Sequence, residues 1–583
     1  MIGRNFKKGY QGLTQLFSSA KEKEQVNTDI SRREWIGKVS VPAVAATLGM
    51  GFMNDATAKP VNKTKPDNLE GARVYNIRDF GAKGDGKTLD TKAIQTAIDT
   101  CTREHGGTVL VPAGTFVTGT VELKSNVRLY IAAKAILLGT DDGKQYYAAD
   151  AIPLTGDTTL NDGNVGLFFA VRADNITIEG PGTIDGQGAR FRSKVKGELP
   201  PAGITGPHRP YHLLFHQCKN LTVRDIYLLN SAFHSVRVIQ SEFTKFEGLH
   251  IRGKVINNND GFHFVSCRYV HVDNCDVQCQ DDACALFGSC QFVTVSNSSF
   301  STRWSVFRFG GGVAENITVS NCLIYETYGC PIKLRCGPNS RFENISFSNI
   351  VMKDVTGPIS IGLGTQSRQQ NTTDKTPGVV RNISFNDITA TVVKPVQLRE
   401  TEHPSNYNPG EIFSSVTLNA MDDVYLENIT FNNVHINFPG EGTAEQGTVR
   451  DVPKVVGEYY QIGVPPAYGI YARNVKNLIL HNVSLTMAKA DMRPALIFDN
   501  VQDAAINGLN IDGQEQAESA CRFINSGDVL MTAARLKSPA KIFLAVEGDK
   551  SKAIKIDGGD ISKAVTSVSF NAGASKQSVK LRE

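Results

Sequence analysis

Asp260 opens the run Gly261-Phe262-His263-Phe264, and Asp282, beside Asp281, opens Ala283-Cys284-Ala285-Leu286. Both runs alternate with the period of a half-buried strand. Superposing them gives an offset of 22 residues, the length of one turn in a coil of three short strands. Stacked this way, Asp260 sits over Asp282 at about one strand spacing, ~4.8 Å. Three acids in one patch do not all ionise easily, so one keeps its proton near working pH and the cluster can both give and take protons. The alternative readings of an Asp-Asp pair are a solvated turn and a calcium site.

A repeat supplies the scaffold. The pattern Asn-Ile-Thr-hydrophobic recurs at Asn175–Ile178, Asn220–Val223, Asn316–Val319, Asn344–Phe347, Asn382–Phe385, Asn428–Phe431 and Asn477–Leu480, with Tyr269–Val272 and Phe292–Val295 in the same row. From Val223 through Phe246 to Phe347 the steps are 23, 26, 23, 24 and 28 residues. Units this short cannot bury their own apolar side and must stack, which predicts an all-β parallel β-solenoid. Propeller blades need about 40–45 residues each. Later steps of 38 to 49 residues read as coils carrying loops, including 364–378 and 396–415.

The ends read differently. Residues 1–58 carry Ser31-Arg32-Arg33-Glu34-Trp35-Ile36, an uncharged run from Val39 to Met53 and Ala56-Thr57-Ala58. That is the pattern of a twin-arginine export signal, predicting a periplasmic or extracellular protein cleaved near Ala58. The stretch 59–130 reads as a cap and first coils: a strand at Val74–Ile77, a glycine-rich loop at 79–86, and a helix from Lys92 to about Glu104 begun by Asp90 or Thr91. Two strands follow, Thr108–Val111 and Gly114–Val121. The loop lacks GKS/T and GxGxxG, so it is read as structural rather than as a phosphate cradle. Residues 131–524 form the expected β-solenoid, and 525–583 further coils or a small β cap.

With 21% charged and 41% hydrophobic residues and a net charge of +4, composition is that of an ordinary globular protein. No basic patch points to nucleic acid, and no stretch after the leader reaches the ~18 apolar residues of a membrane span. The 11 cysteines include no CxxC pair and no Cys/His metal spacing. A chain that folds before export folds under reducing conditions, so buried free thiols are expected. No cofactor or metal is predicted, and a monomer is expected.

The segments VYNIRDFGAKGDGKTLDTKAIQTAID, NITIEGPGTIDGQG and the NxDG…QDD pair together resemble the polygalacturonase family of glycoside hydrolases, across most of residues 73–510. The resemblance implies a right-handed parallel β-helix with an N-terminal capping helix, and inverting hydrolysis of pectic, galacturonate-containing chains. It implies that Asp281 protonates the glycosidic oxygen while Asp260 and Asp282 activate water. Ser231 and His234 fall in the segment that resembles the family's Asn-Ser-Pro stretch. The chemistry is consistent with the acids themselves, since inversion needs one protonated carboxyl and one carboxylate holding a water. The family's Gly-His-Gly is replaced around Arg303-Trp304, and its Arg-Ile-Lys becomes Pro331-Ile332-Lys333.

Strand register places Arg237, His263, Ala285, Arg308, Lys333 and Ser360 in one outward column beside the acids. With His234, Arg303 and Trp304, these are the expected substrate-binding residues: Arg and Lys for a uronate carboxylate, Trp304 for a sugar face or alternatively the core. The alternative reading is that the column only neutralises the acids. Tyr211, Tyr468 and Tyr471 are weaker candidates. Long inserts at 186–212, 397–407 and 440–466 predict a groove closed at one end and removal of terminal sugars. The alternatives are a calcium-dependent lyase and a non-catalytic carbohydrate-binding solenoid.

Overall fold

Each Asn-Ile-Thr-hydrophobic unit turns a corner at its asparagine and then alternates in and out. Asn175, Asn220, Asn316, Asn344, Asn382, Asn428 and Asn477 all have φ between 53° and 58°, the left-handed region that Asn tolerates better than branched or bulky residues. Their amides form a ladder across the coils: Asn344 donates to Asn316 at 3.2 Å and accepts from Asn382 at 3.0 Å, and Asn477 donates to Asn428 at 2.8 Å. Where the row holds Phe243, Tyr269 and Phe292, each with φ of 56°, the rings stack at 4.8 and 5.1 Å. That stacking offsets some of the backbone strain.

The computed structural model describes residues 71–147, 165–191, 209–364, 376–399, 407–421, 424–456 and 458–582. The expected export signal and the inner parts of the loops at 186–212, 364–378 and 397–407 lie outside the described residues. Residues Asn68–Glu583 make one compact unit, a right-handed parallel β-helix. Among the described residues no helix is long and apolar enough to cross a membrane.

Sheet 1 carries the repeat row, with Val223, Phe246, Val272, Val295, Val319 and Phe347 in direct register. Sheet 2 stacks Tyr227–Leu229, His250–Gly253, Asp276–Cys279 and Ser299–Thr302. Sheet 3 stacks Tyr211–His216, Val236–Ile239, Phe262–Val265, Cys284–Phe287, Phe307–Gly310, Ile332–Cys336 and Ile359–Leu363. In the coils of Val313–Thr327, Arg341–Val355, Val379–Val392 and Leu426–Phe438 one long strand serves sheets 1 and 2. Inward residues form one continuous core in which Phe347, Phe385 and Phe431 stack at 5.3 and 4.9 Å. All eleven cysteines are buried and none forms a disulfide; they act as small apolar side chains.

Helix α1 (Thr91–Arg103) lies at the N-terminal end, burying Ile94, Ala97, Ile98 and Cys101. Asp90 begins it but does not cap it with its side chain. The carboxylate turns back to accept the backbone N–H groups of Lys83 and Gly84, at 2.7 and 3.0 Å, tying the glycine-rich loop to the helix start. Residues 85–89 of that region form a strand rather than loop. Beyond residue 524 the coils continue, with Gly527–Leu536 pairing to Lys552–Asp560 and that strand to Val579–Arg582.

Candidate active site

The acids lie where the chain turns from sheet 2 into sheet 3. Backbone bonds from Gly261 to the Asp282 carbonyl (3.0 Å) and from Phe262 to the Ala283 carbonyl (2.9 Å) set Asp260 directly over Asp282. Gly261 leaves no choice of side chain, since a Cβ there would meet the Ala283 carbonyl oxygen at 2.5 Å and Val277 at 2.6 Å. The neighbouring Asn259 fastens this corner to the coil before it, donating to the Phe233 carbonyl at 2.6 Å and the Ser231 carbonyl at 3.2 Å. Asn258 donates to Asp281 Oδ2 at 3.3 Å, and Asp281 Oδ1 accepts the Asp282 backbone N–H at 2.9 Å. Ser231 Oγ donates to the His234 carbonyl at 2.9 Å, fixing the turn that presents His234.

All three acids hold their protons more tightly than ordinary carboxyls. Burial is the main cause for Asp260, followed by the charges of Asp281 and Asp282. Burial and then Asp281 push Asp282 up to about 7, against the pull of Lys333 and Arg308. Asp281 is raised by burial, while its bond from Asp282 and the cations Lys333 and Arg303 pull it down. Asp282 Oδ1 is buried without a hydrogen-bond partner in the protein, an oxygen available to a water or a sugar hydroxyl. The cluster titrates as a unit, so its proton belongs to the trio.

Two of the residues expected to bind substrate, His263 and His234, face Asp260. His263 Nδ1 is 2.7 Å from Asp260 Oδ2, and His234 Nε2 is 3.7 Å from the same oxygen. The rings stack at 4.5 Å, and burial together with nearby arginines holds both imidazoles neutral. Arg237 Nη1 donates to His234 Nδ1 at 3.4 Å, which leaves the His234 proton on Nε2, aimed at Asp260. Both imidazoles thus approach the same carboxylate oxygen, Oδ2. His234, Asp260 and His263 also offer three metal-ligand atoms within 4.8 Å of one another. The 2.7 Å contact is a hydrogen-bond distance, shorter than the ~3.3 Å between two ligands bound at about 2.0–2.1 Å on a tetrahedral ion.

The column Arg237, His263, Ala285, Arg308, Lys333, Ser360 is in register, coil over coil. Its charges, however, are largely answered from within the protein. Glu458 Oε2 lies 2.5 Å from Lys333 Nζ and Glu458 Oε1 lies 3.5 Å from Arg308 Nη2. Burial alone would raise Glu458, but Lys333, Arg308 and Arg335 hold it at about 2. Glu411 Oε1 stands 3.5 Å from both terminal nitrogens of Arg303. Trp304 is half-buried, with Lys333 Nζ 4.5 Å and the Arg303 guanidinium 5.0 Å from its ring centroid, so it lines the site rather than filling the core. Tyr211, Tyr468 and Tyr471 are buried and offer no open ring face.

Sequence reasoning missed Glu411 and Glu458. Both belong to capping boxes, Asn408 with Glu411 starting α2 (Pro409–Ile412), and Glu458 with Gln461 starting α4 (Tyr459–Ile462); α3 (Ala444–Gly447) lies between them. The N-x-x-E and E-x-x-Q spacings signal helix starts, not their target across the groove. A separate groove of about 450 Å³, at the corner of sheets 1 and 2, is lined by Asp225, His250, Asp276 and Asn297 and includes none of the acids.

Comparison with known proteins agrees with this geometry. An exo-poly-alpha-D-galacturonosidase of Dickeya chrysanthemi is 24% identical over 481 residues, covering 70% of this chain and 78% of its own. The solved family 28 exopolygalacturonase of Yersinia enterocolitica aligns with a TM-score of 0.55 at 20% identity, covering 76% of this chain and 78% of its own. The Thermotoga maritima exopolygalacturonase aligns with a TM-score of 0.52 at 18% identity, covering 71% and 92%. A family profile for glycosyl hydrolases family 28 matches residues 101–445, a span that holds all three acids and the whole cationic column, and the chain belongs to that family of O-glycosyl hydrolases.

Proposed function

We propose that this glycoside hydrolase cleaves galacturonate-containing pectic chains by single displacement with inversion, releasing sugars from a chain end. Asp281 is the proton donor to the leaving oxygen, and Asp260 and Asp282 hold the attacking water. One observation carries the reading: acids on consecutive coils face one groove with their proton affinities raised together, so the cluster holds a proton and a carboxylate at the same time. His263 and His234, directed at Asp260, support its role as the water-orienting base. The inserts that deliver Glu411 and Glu458 to the groove support end-on attack, as do the exo-acting relatives. Following product anomers by proton NMR during hydrolysis of oligogalacturonides tests both points: inverted anomers and one product size are expected. A retained anomer or a ladder of mid-chain products rejects the mechanism or the exo mode respectively. A calcium-dependent lyase would instead give unsaturated products and stop with chelator. We also propose export by the twin-arginine route, which predicts that replacing Arg32 and Arg33 with Lys keeps the enzyme in the cytoplasmic fraction.

A further inference from the structure

Among the described residues, the cations on the Asp281 side of the groove that would be suited to gripping a uronate, Lys333, Arg308, Arg303 and Arg335, are each in contact with a protein carboxylate or a protein oxygen. Lys333 is completely buried, and Glu458 contacts it at 2.5 Å. Arg308 shares the same carboxylate at 3.5 Å, and Arg303 faces Glu411 at 3.5 Å. Arg335, the next cation along, donates to the Ser360 hydroxyl and carbonyl, both at 3.1 Å. Glu458 therefore stands where a substrate carboxylate would have to stand, and Asp281 and Asp282 are near enough to feel its charge.

We propose that Glu458 is a specificity-determining residue, and that the sugar unit seated between Asp281 and Lys333, beside Trp304, carries no free carboxylate. A uronate there would have to expel Glu458 from two buried cations or add another negative charge to a pocket that already holds that of Glu458 and lies beside the acid cluster. A sugar whose C6 is uncharged meets neither obstacle. It can accept hydrogen bonds around the ion pair and lay a face against the indole. Two kinds of pectic unit have this chemistry, an esterified galacturonate and a neutral sugar. The inference rests on the pectic reading above and narrows it to one subsite.

Trp304 provides a local reporter, because the chain has only two tryptophans. In the full chain with Trp35→Phe, indole fluorescence is titrated with free digalacturonate, its methyl ester and a rhamnose–galacturonate disaccharide. The wild-type site is expected to bind the ester or the neutral-sugar disaccharide at least ten-fold tighter than the free acid, and whichever arm is tighter identifies the source. Glu458→Gln is expected to tighten the free acid at least ten-fold and leave the uncharged ligand within about two-fold. Glu411→Gln, which keeps a capping side chain, is expected to move the free acid the same way by a smaller factor, and serves if the Glu458 variant folds poorly. Free acid binding the wild type as tightly as the ester, with no gain in either variant, overturns this inference while leaving the pectic reading intact. No binding by any of the three ligands overturns both.

Discussion

Replacing Asp282 by Asn should make the protein more stable at neutral pH while removing its activity. The sign follows from linkage. The folded protein holds the Asp282 proton up to about 7, against 3.8 for an ordinary carboxyl, so between those values the folded state binds a proton that the unfolded chain has released. Stability therefore falls as pH rises from about 4 to about 7, and the loss is complete above that. A shift of about three units corresponds to roughly 4 kcal/mol as an upper figure. Asp260 and Asp281 share the same proton, so about 1–3 kcal/mol should be recovered when a neutral amide replaces the carboxylate. Guanidinium denaturation at several pH values checks this. The Asp282→Asn curve should match wild type near pH 4 and lie progressively above it up to pH 8, with hydrolysis reduced by ~10²–10⁴-fold. A variant equally or less stable across the whole range would show that Asp282 carries no ionisation penalty in the fold, and the argument for a shared proton would fail with it.

Removing the hydrogen bond to Asp260 with His263→Leu takes away a stabiliser of its ionised form worth about 1.5–3 kcal/mol; the acid limb of kcat/KM against pH should move up by ~1–2 units while the alkaline limb stays in place. Lys333→Met leaves Glu458 buried without its nearest cation and should cost about 3–5 kcal/mol at pH 7 in chemical denaturation. Because Glu458 is depressed to about 2 in the fold, its stabilising contribution is present above its ordinary range and is lost as pH falls toward 2. The penalty in the variant should accordingly shrink as the pH drops through that range, and adding Glu458→Gln should recover most of it. In the asparagine ladder, Asn344→Ala loses one bond given and one received and keeps φ at 55°. A loss of about 1–3 kcal/mol is expected, with Asn344→Gly less harmful because glycine accepts that φ without strain; thermal denaturation of the two variants decides.

The solenoid was readable because its order is local and repeated. Asn220, Asn316 and Asn344 recur at a corner position of each coil where a left-handed residue is needed, and the 22-residue offset from Asp260 to Asp282 is itself the strand register. Positions within sheet 3 followed from the same arithmetic, which is why the column from Arg237 to Ser360 is aligned in space. What that arithmetic cannot supply is any contact made by an insert. Glu411 is 108 residues from Arg303 along the chain, and nothing in its own neighbourhood beyond a helix-start signal distinguishes it. The direction of a side chain at a corner was equally hidden: His234 and His263 could be assigned to the groove, but not to one oxygen of Asp260.

That division separates what the coil fixes from what the inserts set. Gly261, between stacked backbones, cannot be changed without disturbing two coils at once, and the same backbone bonds fix the positions of Asp260 and Asp282. The groups that answer the groove's cations come from inserts, where a substitution or a change in loop length leaves the coil register untouched. Specificity can then drift while the proton chemistry stays put. In this chain the inserts set two carboxylates, Glu411 and Glu458, against Arg303, Arg308 and Lys333. A groove that is cationic by strand register is thereby close to neutral on the leaving-group side, and selection between charged and uncharged sugars rests on loops rather than on the helix that carries the acids.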